Sequence, residues 1–316
     1  MQKKTIAVLF PGQGSQFIGM GKEFLATDRE AEELMRLAES ISAAPLRKLC
    51  LDGPMEELTK AVYLQPALTT VNLICWQAVQ KAGIKADYFA GHSLGEYSAL
   101  CAAGVLGAED TLKLVAERGR LSEREGQRNP GGMQAVLGLT LDEVEDILTA
   151  FPATAEVTIA NHNTEKQIVI SGYHATLAKV DALVSERGGK AITLNVSVAN
   201  HSPLVAGAIP DFEKLMAKIS FNTPHTPVLF NVTAAEEKDP AAIRDIMGRQ
   251  IASRVRWFET IGSLLQKGVD TFIEVGPKTV LTGLLRKIAP KSADCKMLQV
   301  DSPDTLAKCL KSMQAD

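Results

Sequence analysis

The sequence has no excess of positive charge, no closely spaced cysteines and no long apolar run at its start, and each shortage removes a class of function. Lysine and arginine number 34 against 37 aspartates and glutamates, for a net charge of -3. The basic footprint of a nucleic-acid-binding domain is therefore missing, and nucleic acid is not expected as a partner. A local basic patch could still dock an acidic partner, which totals do not report. The five cysteines, Cys50, Cys75, Cys101, Cys295 and Cys309, are scattered, odd in number and never spaced as CxxC or set beside a histidine. They read as reduced thiols, not as a disulfide framework or a metal cluster. The opening residues, MQKKTIAVLFPGQGSQ, hold only the five-residue run Ile6 to Phe10 before Pro11 and Gly12. That is too short for a signal-peptide core or a membrane span, so a cytoplasmic protein without a membrane partner is expected. Internal repeats and low-complexity segments are absent as well.

What is present is the composition of an ordinary globular enzyme. The chain has 316 residues, 46% hydrophobic and 22% charged, enough for one large domain with an insertion or for two domains. Residues 5 to 10, TIAVLF, form an apolar β-branched run stopped by Pro11-Gly12, which predicts a buried strand feeding the glycine-rich loop GQGSQ. Residues 66 to 82 predict a helix with Pro66 in its first turn, and Tyr88 to Ala90 a short strand running into GHSLG at 91 to 95, with helix composition following.

A different rhythm occupies 133 to 197. MQAVLGL, EVTIAN, QIVISG and AITLNVSV read as strands. Thr140 to Glu143 reads as a capping-box start to a helix ending near 150, and a second helix runs from about 174 to Gly188-Gly189. The order β-α-β-β-α-β is that of a ferredoxin-like unit. The expected fold is therefore α/β, with a large hydrolase-like domain over 1–130 and 198–316 carrying a parallel sheet and a nucleophile elbow. An inserted ferredoxin-like small domain spans 131–197. In the second half of the large domain, Ser202-Pro203 predicts a capped helix towards Lys218. PVLFNV (227 to 232) and TFIEVG (271 to 276) read as strands flanking a helical stretch from about 240 to 267.

GHSLG fits G-x-S-x-G, in which the glycines allow a tight strand-to-helix turn that lifts a serine hydroxyl above a sheet edge. The same five residues would also serve as a tight turn with an idle serine. Ser93 needs a base, and the candidates are His92, His162, His174, His201 and His225. His92 neighbours the serine and points away from it, His162 and His174 fall in the inserted domain, and His225 lies between prolines. His201, between a strand end and a helix start, is the best placed, although a helix-capping histidine fits that position equally. Leu114, Arg118 and Leu121 share one row of a helix over 110 to 122, so the guanidinium rises from an apolar face and needs an anion. A substrate carboxylate and a structural Asp or Glu both answer that need.

PGQGSQ, GHSLGEYSAL at 91 to 100, AERGRL at 116 to 121, ANHN then QIVISG, VANHSPL at 198 to 204 and EVGPKTVLTGL at 274 to 284 occur in this order over essentially the whole chain. Together they resemble the malonyl-CoA:acyl-carrier-protein transacylases. The resemblance implies transfer of malonyl from malonyl-CoA to the phosphopantetheine thiol of an acyl carrier protein, feeding fatty acid or polyketide synthesis, with no cofactor and no metal. By the same resemblance Ser93 carries the acyl group, His201 takes and returns its proton, and a carbonyl at Gln250 orients the histidine. The amides of Gln13 and Leu94 form the oxyanion hole, and Arg118 grips the free carboxylate. Asn200 stands where relatives have Phe or Ser and borders the pocket for the acyl α-carbon, which leaves malonyl against methylmalonyl preference open. Two other readings share these parts: a serine thioesterase or acyl hydrolase with the same elbow, and a silent carrier-docking subunit.

Overall fold

The computed structural model describes residues 4–152, 157–196, 198–290 and 292–314. Two sheets organise them. The first is wholly parallel and is built from β1 (Ile6–Phe10), β2 (Tyr88–Gly91), β7 (Val228–Leu229), β8 (Thr271–Val275) and β9 (Lys296–Val300), in the order β7-β2-β1-β8-β9. The second is antiparallel, from β3 (Gly131–Leu137), β4 (Val157–Thr164), β5 (Gln167–Tyr173) and β6 (Lys190–Thr193), in the order β4-β5-β3-β6. Counted within its own segment that order is 2-3-1-4, the ferredoxin-like arrangement expected from the β-α-β-β-α-β pattern.

A parallel sheet must be covered on both faces, and β1 shows how. Alternate residues of a strand point to opposite faces, so Ile6, Val8 and Phe10 enter the cluster built with Leu68, Val71, Leu100 and Leu114. Ala7 and Leu9 enter the other, with Trp257, Ile261, Leu281 and Leu285. All five residues of β1 are buried. Because the strands are parallel, their carboxyl ends share one edge, where α/β sheets gather function. The loops after β1, β2 and β7 leave from it.

Several elements differ from the sequence reading. The helix expected to open at Pro66 begins at Ala61 and runs to Lys81, with Pro66 inside it. An internal proline costs a helix about 3 kcal/mol. Burial of Leu64, Ala67, Leu68, Val71, Leu73 and Ile74 offsets that cost. The strand expected over 227 to 232 is only Val228–Leu229, because the chain leaves the sheet as Asn231 turns towards the elbow. The helical stretch near 240 to 267 is broken into Pro240–Arg249, a 3-10 turn Gln250–Ala252 and Trp257–Gln266. Ser202 caps a 3-10 segment, Pro203–Ala208, before the helix Ile209–Met216. The strand expected over 191 to 198 is β6, ending at Thr193, and Ser197 lies outside the described residues. The capping box at Thr140 and Glu143 is present and starts helix Leu141–Leu148. Among the described residues no helix is long and apolar enough to cross a membrane.

Candidate active site

The site starts from a backbone constraint. Ser93 follows β2 with φ 51, a left-handed conformation that a serine rarely adopts. It is tolerated because the turn is packed so closely that a side chain at Gly95 would overlap the carbonyl oxygen of Phe10. Asn231, just past β7, ties the turn down. Its Oδ1 accepts the Ser93 N–H at 2.6 Å, and its Nδ2 donates to the Gly91 carbonyl at 2.7 Å. The serine is thus held out of regular structure at the sheet edge by satisfied hydrogen bonds.

His201 Nε2 lies 2.7 Å from Ser93 Oγ. The histidine reaches it from the chain after β6, and its own backbone N–H donates to the Ile251 carbonyl at 2.9 Å. Its Nδ1 faces two main-chain carbonyls, Ser253 at 2.9 Å and Gln250 at 3.2 Å. Two acceptors on Nδ1 require the proton there, which leaves Nε2 free to accept from the hydroxyl. Burial, with the Arg118 charge adding to it, pushes the imidazole down to about 3, so it is neutral at neutral pH and its Nε2 lone pair is free to accept a proton. His92 is turned away from the serine. Its Nε2 meets Asn163 Oδ1 at 2.8 Å and its ring packs against Trp257.

Arg118 sits in the middle of helix Ala108–Arg128 and is fully buried. Nη1 donates to Gln65 Oε1 at 2.9 Å, Nη2 to Gln250 Oε1 at 3.2 Å, and Nη2 also lies 3.5 Å from Ser93 Oγ. The guanidinium stands over the Tyr97 ring at 5.7 Å. These partners are all uncharged, and Arg118 Nε has none among the described residues. A structural Asp or Glu in direct contact, one of the two sequence alternatives, is therefore not what holds it. A buried cation that meets only neutral carbonyls beside a nucleophile retains attraction for an incoming anion.

Gln13 lies in the loop after β1, and Leu94 follows the serine in the chain. The loop after β1 presses on the elbow so closely that a side chain at Gly12 would overlap the His92 carbonyl oxygen. Leu94 begins the helix Gly95–Ala102, where free backbone N–H groups favour an anion. Neither the Gln13 nor the Leu94 amide meets an acceptor among the described residues. Asn200 precedes His201 in the chain. Its carbonyl accepts from Ser171 Oγ at 2.6 Å, its Nδ2 donates to the Val198 carbonyl at 3.3 Å, and its buried Oδ1 has no partner among the described residues. The structure brings Ser93, His201, Gln250 and Arg118 into one hydrogen-bonded group, and among the described residues no hydrogen bond joins the Asn200 side chain to it.

Four participants were not read from the sequence: the Ser253 carbonyl, Asn231, Gln65 and Glu96. Asn231 and Glu96 each carried a signal, as a polar residue closing the apolar run VLF and as a carboxylate in the apolar helix after the elbow. The Ser253 carbonyl had none, because any residue type supplies one.

Residues 8–302 match the acyl transferase domain family. The malonyl CoA-acyl carrier protein transacylase of Bacillus subtilis strain 168 is 36% identical over 313 residues, 98% of each chain. That of Salmonella typhimurium strain LT2 is 39% identical over 287 residues, 89% of this chain and 92% of the relative. Among solved structures, the malonyl CoA-acyl carrier protein transacylase from Clostridium perfringens superposes with a TM-score of 0.91 at 34% identity, covering 98% of both chains. A malonyl-transacylase in complex with its type II PKS acyl-carrier protein superposes at 0.92, with 32% identity over 98% of this chain and 100% of the other. Matched over nearly its whole length by these proteins in sequence and fold, the chain belongs to the malonyl CoA-acyl carrier protein transacylase family of acyl transferases.

Proposed function

We propose that this enzyme moves a malonyl group from malonyl-CoA to the phosphopantetheine thiol of an acyl carrier protein, through an ester on Ser93. The observation that carries the reading is the 2.7 Å contact between Ser93 Oγ and His201 Nε2 beside a buried Arg118 with only neutral partners. Ser93 Oγ attacks the thioester carbonyl and gives its proton to His201 Nε2. The negative charge that develops on the carbonyl oxygen is met by the amides of Gln13 and Leu94. Collapse of the adduct breaks the carbon–sulfur bond, His201 returns its proton to the sulfur, and CoA leaves as the thiol. The carrier's thiol then repeats the steps in reverse. Throughout, the Ser253 and Gln250 carbonyls hold the imidazole in one tautomer, as the carboxylate of a hydrolytic triad does.

Arg118 gives the reading its substrate. With Nη2 3.5 Å from Ser93 Oγ, a carboxylate two carbon–carbon bonds beyond the oxygen's new partner falls within reach of the guanidinium. An acetyl group has nothing to place there. A hydrolase would share the serine and histidine, but a buried unneutralised arginine fits a charged acyl group. A silent docking subunit would have no need of the short Ser93–His201 contact. The setting we propose is cytoplasmic, consistent with five free cysteines.

Intact-protein mass after mixing with malonyl-, methylmalonyl- or acetyl-CoA, with and without carrier protein, tests the proposal. A lasting malonyl adduct that moves to the carrier supports it. Release of free malonate without transfer means a hydrolase, and no adduct with any of the three means a docking subunit. The methylmalonyl arm reads out what the Asn200 position permits.

A further inference from the structure

We infer that Glu96 is a positioning residue for the acyl group's free carboxylate: it fixes the Gln250 amide so that a neutral carbonyl, not an anion, meets Arg118. The inference rests on the malonyl reading above and extends it to a residue whose carboxylate contacts neither the substrate nor the Ser93 hydroxyl.

Glu96 is in the helix Gly95–Ala102 and has no exposed surface. Its Oε2 accepts from Gln250 Nε2 at 2.7 Å, and the same Nε2 donates to the Ser93 carbonyl at 2.8 Å. An amide nitrogen has two protons, and these two acceptors use both. The Gln250 side chain therefore has one orientation, with Oε1 directed at Arg118 Nη2. Arg118 is held in place by this carbonyl and that of Gln65 without losing its charge to a contact ion pair. When ionised, Glu96 also supplies a balancing negative charge, one amide removed, where it attracts Arg118 less than a contacting carboxylate would. Its other oxygen, Oε1, accepts the backbone N–H of Asn231 at 2.7 Å. Asn231 is the residue that pins the Ser93 amide, so a single carboxylate braces both the anion grip and the nucleophile turn. Burial lifts the Glu96 carboxyl to about 7, and the Asn231 N–H, Gln250 and Arg118 oppose a further rise.

Glu96→Gln tests the assignment. The new amide keeps a carbonyl for the Asn231 N–H but turns an NH2 group towards that of Gln250. Two donors cannot pair, so Gln250 must rotate and present its NH2 to the guanidinium. The ratio of kcat/KM for malonyl-CoA to that for acetyl-CoA, read from acylation of the protein, is expected to fall about tenfold, the scale of one lost hydrogen bond to a charged group. In an Arg118→Ala background the same substitution should shift the ratio by less than about twofold, because the relay no longer has a target. Glu96→Asp, which keeps the charge but retracts it, should move the ratio in the same direction. It carries the test if thermal melting shows that Glu96→Gln does not fold.

A folded variant whose ratio stays at the wild-type value overturns the inference, as does a fall of equal size with and without Arg118. Failure of the malonyl reading itself looks different, since wild-type protein would then take no malonyl from malonyl-CoA.

Discussion

Removing the Arg118 guanidinium should convert a malonyl-selective acyltransferase into one that no longer favours a carboxylate. The side chain is fully buried, and among the described residues its hydrogen bonds go to Gln65, Gln250 and Ser93. No carboxylate among the described residues is in hydrogen-bond contact with Arg118, so the anion that loses a direct partner in Arg118→Ala is the substrate's. Stranding one member of a desolvated ion pair costs about 3 to 5 kcal/mol. At roughly 1.4 kcal/mol per decade that is a fall of about two to more than three orders of magnitude in kcat/KM for malonyl-CoA. Acetyl-CoA has no carboxylate to strand, and its rate should change by less than about tenfold, reflecting the cavity alone. The assay is single-turnover acylation followed by intact mass for both thioesters, with thermal melting to record the cost of the cavity. An equal loss for the two substrates would refute the reasoning and make Arg118 a structural residue.

Three further outcomes follow from the same geometry. Gly95→Ala places a methyl group on the Phe10 carbonyl oxygen, so the turn must open. We expect loss of acylation together with at least about 1 to 3 kcal/mol of stability from overpacking, and wild-type acylation in the alanine variant would show that the elbow is not the nucleophile's support. Asn231→Ala leaves the Ser93 N–H and the Gly91 carbonyl without their partners, a cost of about 1 to 3 kcal/mol for each buried group. It should lower the melting temperature and slow acylation by malonyl- and acetyl-CoA alike, whereas loss confined to malonyl would contradict its assignment to the turn. For His201, the folded value is depressed from 6.5 to about 3. The unfolded chain therefore binds this proton first as pH falls, and the histidine's contribution erodes stability from 6.5 down to about 3. Over that window the imidazole stays neutral in the folded protein, so His201 should give the acylation rate no half-point near 6.5, and a limb centred there that persists in Glu96→Gln would contradict the burial argument.

Much of the fold was legible because its signals are local. The apolar run at Ile6 to Phe10, the capping box at Thr140 and Glu143 and the β-α-β-β-α-β rhythm each report on neighbouring residues, and the two sheets follow them. Boundaries failed where long-range packing overrode a local rule. Pro66 reads as a helix start, yet the buried helix runs through it; β7 reads as six residues but ends where Asn231 is drawn to the elbow. At the site, the elbow and the need of Arg118 for an anion were visible in residue type and spacing. The bracing was not. Gln250 was reached through the family resemblance alone, while Glu96, Gln65 and Asn231 lie on three separate segments that no period relates before the chain is folded. The Ser253 carbonyl belongs to every residue type and left no trace at all.

The central claim is that the acyl group travels on Ser93, and the most direct test is to map it. Protein mixed with malonyl-CoA, quenched and digested should yield one peptide heavier by a single malonyl group, with the modification on Ser93, and Ser93→Ala should yield none. Malonyl found on any other residue, or an adduct that persists in Ser93→Ala, would contradict the account.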